Sequence, residues 1–317
     1  MKEFELIEKY FKNQSFSRSD VLKGIGDDCA VLNPSSKIVV STDTLVEGTH
    51  FLKNITPYDL GYKSLAVNLS DIAAMCCNPS WALLSITLPN ISEMWMRDFC
   101  AGYKVLLEQH NVQLVGGDTT KGPLSITWTV MGSSQNKIAL RSSAKVDELV
   151  FVTGDIGDSF VGLEVLLNHS TEMSDEVKDY FIRKHLHPVP RIDLAQKLRT
   201  FISACIDVSD GLYSELNHIA EKSNKHICID IEKLPTSQNY KKLGYGEEIA
   251  LSSGEEYELC FTAPQENFQE IQKISKITNI NISCIGTVSE GKGVSFKKDE
   301  KEIKSLNLKT YEHFSNN

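Results

Sequence analysis

Residues 112–118 read VQLVGGD, an apolar extended run that ends in two glycines and an aspartate. Similar runs followed by small residues and acids occur at IVVSTD (38–43), ACIDVSDG (204–211) and LSSGEEYELCF (251–261), and GDD (26–28) precedes a further apolar run. Helical patterns separate these runs, so the sequence predicts an α/β protein. The acids are expected at the ends of strands, where open α/β sheets bind ligands.

Helical and extended patterns alternate along two successive halves of the chain. In the first half, Thr56 as N-cap and Pro57 at the first helical position predict the start of a long helix. Residues 133–145 are polar and lack a clear period, and a new apolar run follows them. Because 317 residues exceed the usual size of one core, we predict two α/β domains. Their predicted limits are residues 1–140 and 141–317.

Composition narrows the classes of function. The chain is 41% hydrophobic and 24% charged, which is typical of a globular protein. It has no run of about 20 apolar residues that could cross a bilayer, and its first ten residues are charged and amphipathic, unlike a signal peptide. The formal net charge of −9 disfavours nucleic-acid binding. We therefore expect a cytoplasmic protein with no nucleic-acid partner and no membrane partner.

The acids are the residues that most need an explanation. Asp43, Asp118 and Asp207 lie at the ends of apolar runs, and Asp71 lies in a predicted helix beside small alanines, where helix propensity does not favour it. Each strand-end acid, taken alone, is also explained by ordinary turn chemistry. If several converge, each pair of like charges at about 4 Å costs on the order of 4 kcal/mol at an effective dielectric near 20. Such a cluster requires cations.

Magnesium fits the residue types around these acids. Ser41 and Thr42 precede Asp43, and Thr119 follows Asp118, so hydroxyls accompany the carboxylates. Oxygen ligands without paired histidines favour magnesium over zinc. Since magnesium keeps coordination positions for water and substrate phosphates, several acids imply several Mg²⁺ ions and a polyphosphate ligand.

Two other segments look like phosphate sites but lack the required residues. GTVSEGKG (286–293) has the first part of a P-loop, yet a glycine occupies the position of the Ser or Thr that binds magnesium. We predict a hairpin turn there. VTGDIGDS (152–159) joins a predicted strand to a predicted helix and could offer backbone N–H groups to an anion. We assign it no catalytic role.

Seven segments, in order along the chain, together resemble a known family. They are GIGDDCAVL (24–32), STDTLVEGTHF (41–51), NLSDIAAM (68–75), LVGGDTT (114–120), DVSDGL (207–212), SGEEYELCF (253–261) and YEHF (311–314). This series resembles the motifs of the thiamine-monophosphate kinase family, in the aminoimidazole-ribonucleotide synthetase superfamily. The resemblance implies an N-terminal α/β domain that binds magnesium and ATP and dimerises through a shared β-barrel, followed by a C-terminal α/β domain. It also implies a homodimer that phosphorylates thiamine monophosphate (TMP) with ATP to give thiamine diphosphate.

The resemblance assigns roles to individual residues as well. The implied magnesium ligands are Asp27, Ser41, Thr42, Asp43, Asp71, Asp118, Asp207 and Asp210. The implied catalytic residues among them are Asp43, Asp71 and Asp118. ATP would contact Gly117, Asp118, Arg141 and Ser209, and TMP would contact His50, Glu255 and Tyr311. The chain departs from the family at Glu256, where aspartate is usual, so either Glu255 or Glu256 is the acid that contacts the substrate.

The chemistry of the acceptor suggests how this transfer would proceed. A phosphate monoester has a second pKa of about 6, so it is largely dianionic at neutral pH and needs no general base. Direct in-line transfer assisted by Mg²⁺ is therefore our hypothesis. The residues alone leave two alternatives open. One is a metal-dependent phosphohydrolase, which also uses clustered aspartates; the other is a non-catalytic module that binds nucleotide or thiamine phosphate.

Overall fold

A computed structural model of the chain describes residues 5, 7–12, 16–25, 29–134, 136–169, 172–303, 306 and 308. The chain forms two compact units. The first unit comprises Met1–Ile72 and Cys77–Asn136, and the second comprises Ala73–Cys76 and Lys137–Asn317.

The first unit combines a mixed sheet with two long helices. In chain order its described elements are a short helical segment at Ile7–Lys12, β1 (Val21–Lys23), β2 (Val31–Leu32), β3 (Lys37–Val46), α1 (Pro57–Ala74), β4 (Asn78–Leu88), α2 (Glu93–His110), β5 (Gln113–Lys121) and β6 (Ser125–Ser134). Strands β1 and β2 pair with each other, and the larger sheet has the order β3-β6-β4-β5. In that sheet β4 and β5 are parallel, whereas β6 is antiparallel to both β3 and β4.

Helices α1 and α2 cover one face of this sheet. The buried Trp128 of β6 donates a hydrogen bond to Ser64 of α1 at 3.0 Å. Its ring meets Tyr103 of α2 edge to face, with 5.1 Å between the ring centroids. The two helices approach closely at Gly61, where a Cβ atom would overlap the carbonyl of Phe99. A large aromatic core therefore fixes the helices against the strands.

The opposite face of the sheet is more exposed. Side chains of β3 alternate between the two faces, as expected for a strand. Leu45 is buried on the helix-covered side, whereas Val40 is 62% exposed and Ile38 is 41% exposed. We call the exposed side the open face; its residues are Ile38, Val40, Thr42, Thr44, Val46, Leu83, Ser85, Thr127 and Thr129.

The second unit has a larger sheet with helices packed against it. Its described elements are β7 (Leu149–Thr153), α3 (Asp158–Leu166), α4 (Asp175–Leu186), α5 (Ile192–Leu198), β8 (Cys205–Asp207), α6 (Leu212–Ser223), β9 (His226–Asp230), α7 (Gln238–Lys242), α8 (Glu247–Ser252), β10 (Leu259–Ala263), α9 (Phe268–Thr278), β11 (Ile282–Ser289), β12 (Gly293–Lys298) and β13 (Lys301–Ile303). The strand order is β13-β12-β9-β11-β7-β10-β8. The neighbouring pairs are antiparallel except β9 with β12.

Helix α6 shows how the second unit forms its core. Leu212, Leu216 and Ile219 are all fully buried and recur at the spacing of one helical face. They pack in one cluster with Val150 of β7 and Ile206 of β8. Full burial of each such side chain contributes roughly 1.5–3 kcal/mol, so this face of α6 fixes the helix against the sheet.

The α/β fold class predicted from the sequence is confirmed, but the expected placement of two acids is wrong. Asp43 and Asp118 were expected at the ends of strands, whereas β3 continues to Val46 and β5 continues to Lys121. Both acids therefore lie inside strands. Because antiparallel pairs dominate both sheets, the carboxyl ends of the strands also do not share a single edge.

The predicted hairpin at residues 286–293 is wrong as well. Strands β11 and β12 do turn back on each other, but β9 lies between them: Ser289 of β11 and Gly293 of β12 both pair with His226 of β9. Residues 290–292 therefore span the start of a third strand. Within the residues that the structure describes, no helix combines the length and the apolar character that crossing a bilayer requires.

Candidate active site

A hydroxyl and a carboxylate meet between β3 and α1. Ser41 donates a hydrogen bond to Asp71, and the backbone N–H of Asp43 donates to the Asn68 side chain at 3.1 Å. Ser41 and Asp43 are two residues apart on a strand, and Asn68 and Asp71 are three apart on a helix, so each pair shares one face. The strand and the helix thus present a group of hard oxygen atoms on the helix-covered side of the sheet.

Threonine hydroxyls line the open face, on the opposite side of β3 from this group. The Thr44 hydroxyl lies 2.8 Å from that of Thr127, and the Thr42 hydroxyl contacts that of Thr129. Thr42 is one residue from both Ser41 and Asp43, so its side chain lies on the other side of the strand. The structure therefore separates Thr42 from the Ser41–Asp71 contact.

Asp118 also lies apart from Asp43 within one chain. Its backbone pairs with Ser85, which pairs with Thr127, which pairs with Thr44. This row crosses the whole sheet, so Asp118 is three strand spacings, or about 14 Å, from β3. The exposed Asp118 instead lines a cavity on the open face.

The cavity on the open face has a volume of about 1110 Å³. On the sheet side its wall includes Ser85, Asp118 and Thr129, and on the other side it includes Phe11 and Ile25. Hydroxyl and carboxylate oxygens thus face a cover that combines apolar side chains with the charged Glu8 and Lys12. Its size and mixed lining are typical of sites for small organic ligands.

Gly117, which also lines this cavity, is required by the local backbone. A Cβ atom at this position would overlap the carbonyl oxygen of Leu84 on the neighbouring strand, and the backbone has a φ of 154°. Only glycine allows β5 to approach β4 this closely. The approach leaves bare backbone at the cavity wall beside Asp118.

His50 is fixed by the turn that follows β3. The backbone N–H groups of Thr49 and His50 both donate to the Val46 carbonyl, at 3.1 and 2.9 Å, and Gly48 supplies the positive φ of 82° that the turn needs. The Val46 N–H in turn donates to His50 Nδ1 at 3.0 Å. Because Nδ1 accepts this bond, the neutral ring carries its proton on Nε2 and can donate from that side.

In the second unit, the end of β8 and the loop after it contain three predicted site residues. Asp207 is buried at the end of β8, and Ser209 and Asp210 follow it before α6 begins. Glu215 of α6 accepts hydrogen bonds from the Asp210 N–H at 3.2 Å and from the Ser209 hydroxyl at 3.4 Å. Burial raises the pKa of Glu215 to about 7, although the Asp210 N–H opposes this rise. Glu215 was not predicted from the sequence; it fixes the loop from the first turn of α6.

Arg141 lies beside the same helix. Its carbonyl accepts a hydrogen bond from Ser223, the last residue of α6, at 2.9 Å. Its exposed guanidinium lowers the pKa of Glu215 against the larger effect of burial. The two residues that the resemblance assigns to ATP in this unit, Arg141 and Ser209, therefore both neighbour α6.

The segment SGEEYEL carries three glutamates with different surroundings. Glu258 is buried and paired with Arg191, whose Nε donates at 2.7 Å. Although burial raises the pKa of Glu258, the Arg191 charge and hydrogen bonds outweigh it and lower the pKa overall. Glu255 has a positive φ of 63° and lies 3.5 Å from His185 Nδ1.

Glu256 occupies the backbone N–H groups of the turn VTGDIGDS (152–159). Its carboxylate accepts hydrogen bonds from the backbone N–H groups of Gly157, at 2.8 Å, and Ser159, at 3.4 Å, at the N-terminus of α3. Burial raises the pKa of Glu256 well above its usual range, and these N–H groups oppose the rise. The N–H groups that could have received an external anion therefore bind a glutamate of the same chain.

Two predicted site residues, Asp27 and Tyr311, lie outside the described residues. Among the residues that are described, no three His, Cys, Asp or Glu side chains are grouped as a metal site. The contact between Ser41 and Asp71 joins two predicted ligands. The predicted residues Asp207, Ser209, Asp210, Arg141 and Glu255 belong to the second unit. Glu256, the alternative to Glu255 as the substrate acid, is bound by N–H groups of α3 instead. Asn68, His185 and Glu215 were not predicted as part of a site, since no spacing in the sequence marks their distant partners.

Comparison with known proteins gives consistent matches over nearly the whole chain. Residues 26–134 match the AIR synthase related protein, N-terminal domain, and residues 145–299 match the corresponding C-terminal domain. The thiamine-monophosphate kinase of Salmonella typhimurium is 44% identical over 320 residues, which cover 99% of this chain and 98% of the relative.

Two solved structures are similar in both sequence and fold. Thiamine-monophosphate kinase from Stenotrophomonas maltophilia K279a is 36% identical, covers 90% of this chain and 93% of its own, and has a TM-score of 0.82. AaThiL complexed with AMPPCP and TMP is 35% identical over 92% of both chains, with a TM-score of 0.78. The chain therefore belongs to the AIR synthase related family and, within it, to the thiamine-monophosphate kinases.

Proposed function

We propose that this chain transfers the γ-phosphoryl group of ATP directly to the phosphate of TMP, giving thiamine diphosphate and ADP. The observation that carries this proposal is the 35% identity, over 92% of both chains, to a protein solved with AMPPCP and TMP together. A phosphohydrolase or a simple binding module is not favoured by these relatives.

Several Mg²⁺ ions are part of this proposal. The contact between Ser41 and Asp71, with Asp43 on the same face of β3, gives a set of oxygen ligands without sulfur or imidazole, which suits magnesium. The residues proposed to hold the ions are Asp27, Ser41, Thr42, Asp43, Asp71, Asp118, Asp207 and Asp210. Bound Mg²⁺ would neutralise the charges of the polyphosphate and the acceptor phosphate, which otherwise repel each other.

The side chains of the protein would bind and align the two substrates. His50 Nε2 would donate a hydrogen bond to TMP, since Nδ1 already accepts one from Val46. Gly117 would let a phosphate approach the backbone of β5 beside Asp118. Because the acceptor phosphate is largely dianionic, alignment rather than proton removal is the work required of these residues. Arg141 and Ser209 are proposed for ATP, and Glu255 and Tyr311 for TMP.

A homodimer formed through the first unit is also proposed. The open face exposes Ile38, Val40 and Val46 by 41%, 62% and 37%. A strip of exposed apolar side chains on a sheet face is typical of an interaction surface. A second copy packed against this strip would close the two sheets into the β-barrel that the resemblance implies.

We further propose a cytoplasmic enzyme of two domains, 1–140 and 141–317, with no nucleic-acid or membrane partner.

A balance of products tests the proposed reaction. The purified protein would be incubated with ATP, Mg²⁺ and TMP, and thiamine diphosphate, ADP and inorganic phosphate would be quantified, with a control that lacks TMP. We expect equal amounts of thiamine diphosphate and ADP and little inorganic phosphate. Phosphate release in the control would indicate a phosphohydrolase, and binding of both substrates without turnover would indicate a binding module.

A further inference from the structure

The segment that precedes β10 has a strained but well-anchored backbone. Glu255 and Tyr257 are not glycines, yet both have positive φ, at 63° and 52°. Their N–H groups donate to Ser209 at 2.7 Å and to Val208 at 2.8 Å. A left-handed conformation at two such residues is costly and persists only where the surroundings impose it. The contacts of this segment therefore hold the backbone at Glu255 in an unfavourable conformation and fix the direction of its side chain.

One histidine lies at the place to which Glu255 is directed. His185, in the last turn of α4, is 4% exposed, and its Nδ1 atom lies 3.5 Å from a carboxylate oxygen of Glu255. The Glu255 side chain is 30% exposed, so part of it remains accessible to a ligand. A buried ring against a partly exposed carboxylate is the arrangement expected when one group orients another.

The position of His185 is itself fixed by close helix packing. Its Nδ1 lies 3.1 Å from the hydroxyl of Ser159, in the first turn of α3. Helices α3 and α4 approach so closely that a Cβ atom at Gly162 would overlap the Phe181 carbonyl and lie 2.8 Å from His185 Cβ. The packing therefore gives the imidazole a defined rotamer, in which the Ser159 hydroxyl and the Glu255 carboxylate both approach Nδ1.

The other acids of the segment anchor it and leave Glu255 for a different task. Glu256 is bound by backbone N–H groups of α3, and Glu258 is paired with Arg191. Both are largely enclosed by these partners. Of the three glutamates, Glu255 combines a partly exposed carboxylate with a buried orienting neighbour.

We propose that His185 is a positioning residue for substrate binding: it orients the Glu255 carboxylate toward the thiamine part of TMP, which carries an amino group and a positive charge. This inference rests on the proposed function, in which Glu255 contacts TMP. His185 would then determine the affinity for TMP and would affect neither ATP binding nor the transfer step.

Steady-state kinetics of matched variants test this role. His185→Leu removes the polar atom that lies 3.5 Å from the Glu255 carboxylate and should raise KM for TMP by about tenfold, the lower end for a polar contact to a charged group. KM for ATP and kcat should stay within twofold. His185→Asn, which can place an amide N–H near the former Nδ1, should recover most of the affinity. His169→Leu is the matched control, since this exposed histidine also neighbours a glutamate, Glu164.

A double-mutant comparison separates positioning from a general effect on folding. If His185 acts through Glu255, then His185→Leu should add little to the rise in KM for TMP caused by Glu255→Gln. Additive effects, or an equal rise in KM for ATP, would overturn the proposal. If His185→Leu does not fold, Ser159→Ala provides the test: it should raise KM for TMP two- to threefold, and an unchanged KM would overturn the proposal.

Assays of the wild-type protein separate the proposed function from the role of His185. Absence of thiamine diphosphate formation by the wild type would overturn the proposed function, and the substrate role of Glu255 with it. Normal turnover by the wild type together with an unchanged KM for TMP in His185→Leu would overturn the role of His185 alone.

Discussion

Replacing Arg191 with methionine should destabilise the second unit by about 3–5 kcal/mol, because it leaves the Glu258 carboxylate buried without its counter-charge. The Arg191 and Glu258 side chains are 14% and 6% exposed, and the guanidinium contacts the carboxylate through two nitrogen atoms. Methionine retains much of the apolar stem, so the loss of charge dominates the effect. For a unit of this size the melting temperature should fall by roughly 10 °C.

Thermal unfolding followed by circular dichroism measures this effect. Lys273→Met is the matched control: Lys273 pairs with Glu270 on the surface, with side chains 65% and 46% exposed, and such a pair contributes about 1 kcal/mol or less. The double variant Arg191→Met with Glu258→Gln should recover part of the loss, because it removes the unpaired charge. A melting temperature for Arg191→Met within 2 °C of wild type would refute this reasoning.

The same pair predicts the sign of a pH effect. Arg191 keeps the pKa of Glu258 below its usual range despite burial. A carboxyl group whose pKa is lower in the folded state contributes stability above its unfolded pKa of about 4.3, and this contribution is lost as the pH falls through the folded value. The difference in stability between wild type and Arg191→Met should therefore be full at pH 7 and shrink below about pH 4. A difference that grows on acidification would contradict the assigned pairing.

Three further predictions concern the first unit. Asp71→Asn should lower kcat at limiting Mg²⁺ by about 100-fold, within the range for loss of one electrostatic group at a site; normal turnover would exclude Asp71 as a ligand. The melting temperature should change little, since asparagine can still accept the Ser41 hydrogen bond. Gly117→Ala should lower the free energy of unfolding by more than about 2 kcal/mol because its Cβ would overlap the Leu84 carbonyl, whereas the control Gly48→Ala, with positive φ but open space, should lower it by about 1 kcal/mol. Equal losses in denaturant unfolding would argue against the close approach. Val40→Lys should leave the chain folded and convert the proposed homodimer to monomer in light scattering, and an unchanged mass would show that the open face is not the interface.

Local features of the fold could be predicted because their causes lie within a few residues. Thr56 caps α1 as its sequence indicates, accepting the Asp59 N–H at 3.1 Å, and Pro57 begins the helix. Strand β7 covers Leu149–Thr153, the apolar run from which it was predicted. Capping and short apolar periods depend on neighbouring residues alone, so one sequence suffices to identify them.

Features that depend on distant pairing could not be predicted. The strand of VQLVGGD was expected to end at its glycines and Asp118, but β5 continues to Lys121 because its pairing with β4 continues through Gly117 and Asp118. Tertiary pairing overrides local preference in such strands. The insertion of β9 between β11 and β12 has the same origin, since nothing near residue 290 in the sequence marks a strand that lies about 60 residues earlier.

In the candidate site, too, some residues could be predicted from the sequence and others could not. The sequence motifs identified Ser41 and Asp71, which the fold brings into contact. They included Glu256 but not the N–H groups about 100 residues away that it binds, and they did not identify His185, which is 70 residues from Glu255. Such residues are ordinary in sequence, and only the packing of α3 and α4 reveals their partners.

The most direct test of the central claim follows phosphorus itself. Phosphorus NMR of the protein with ATP and Mg²⁺ would be recorded with TMP as acceptor and, separately, with thiamine, which has no phosphate. We predict that TMP is converted to a diphosphate with loss of the ATP γ-phosphate signal in equal amount, and that thiamine gives no product. Formation of TMP from thiamine, or of inorganic phosphate in place of the diphosphate, would contradict the account.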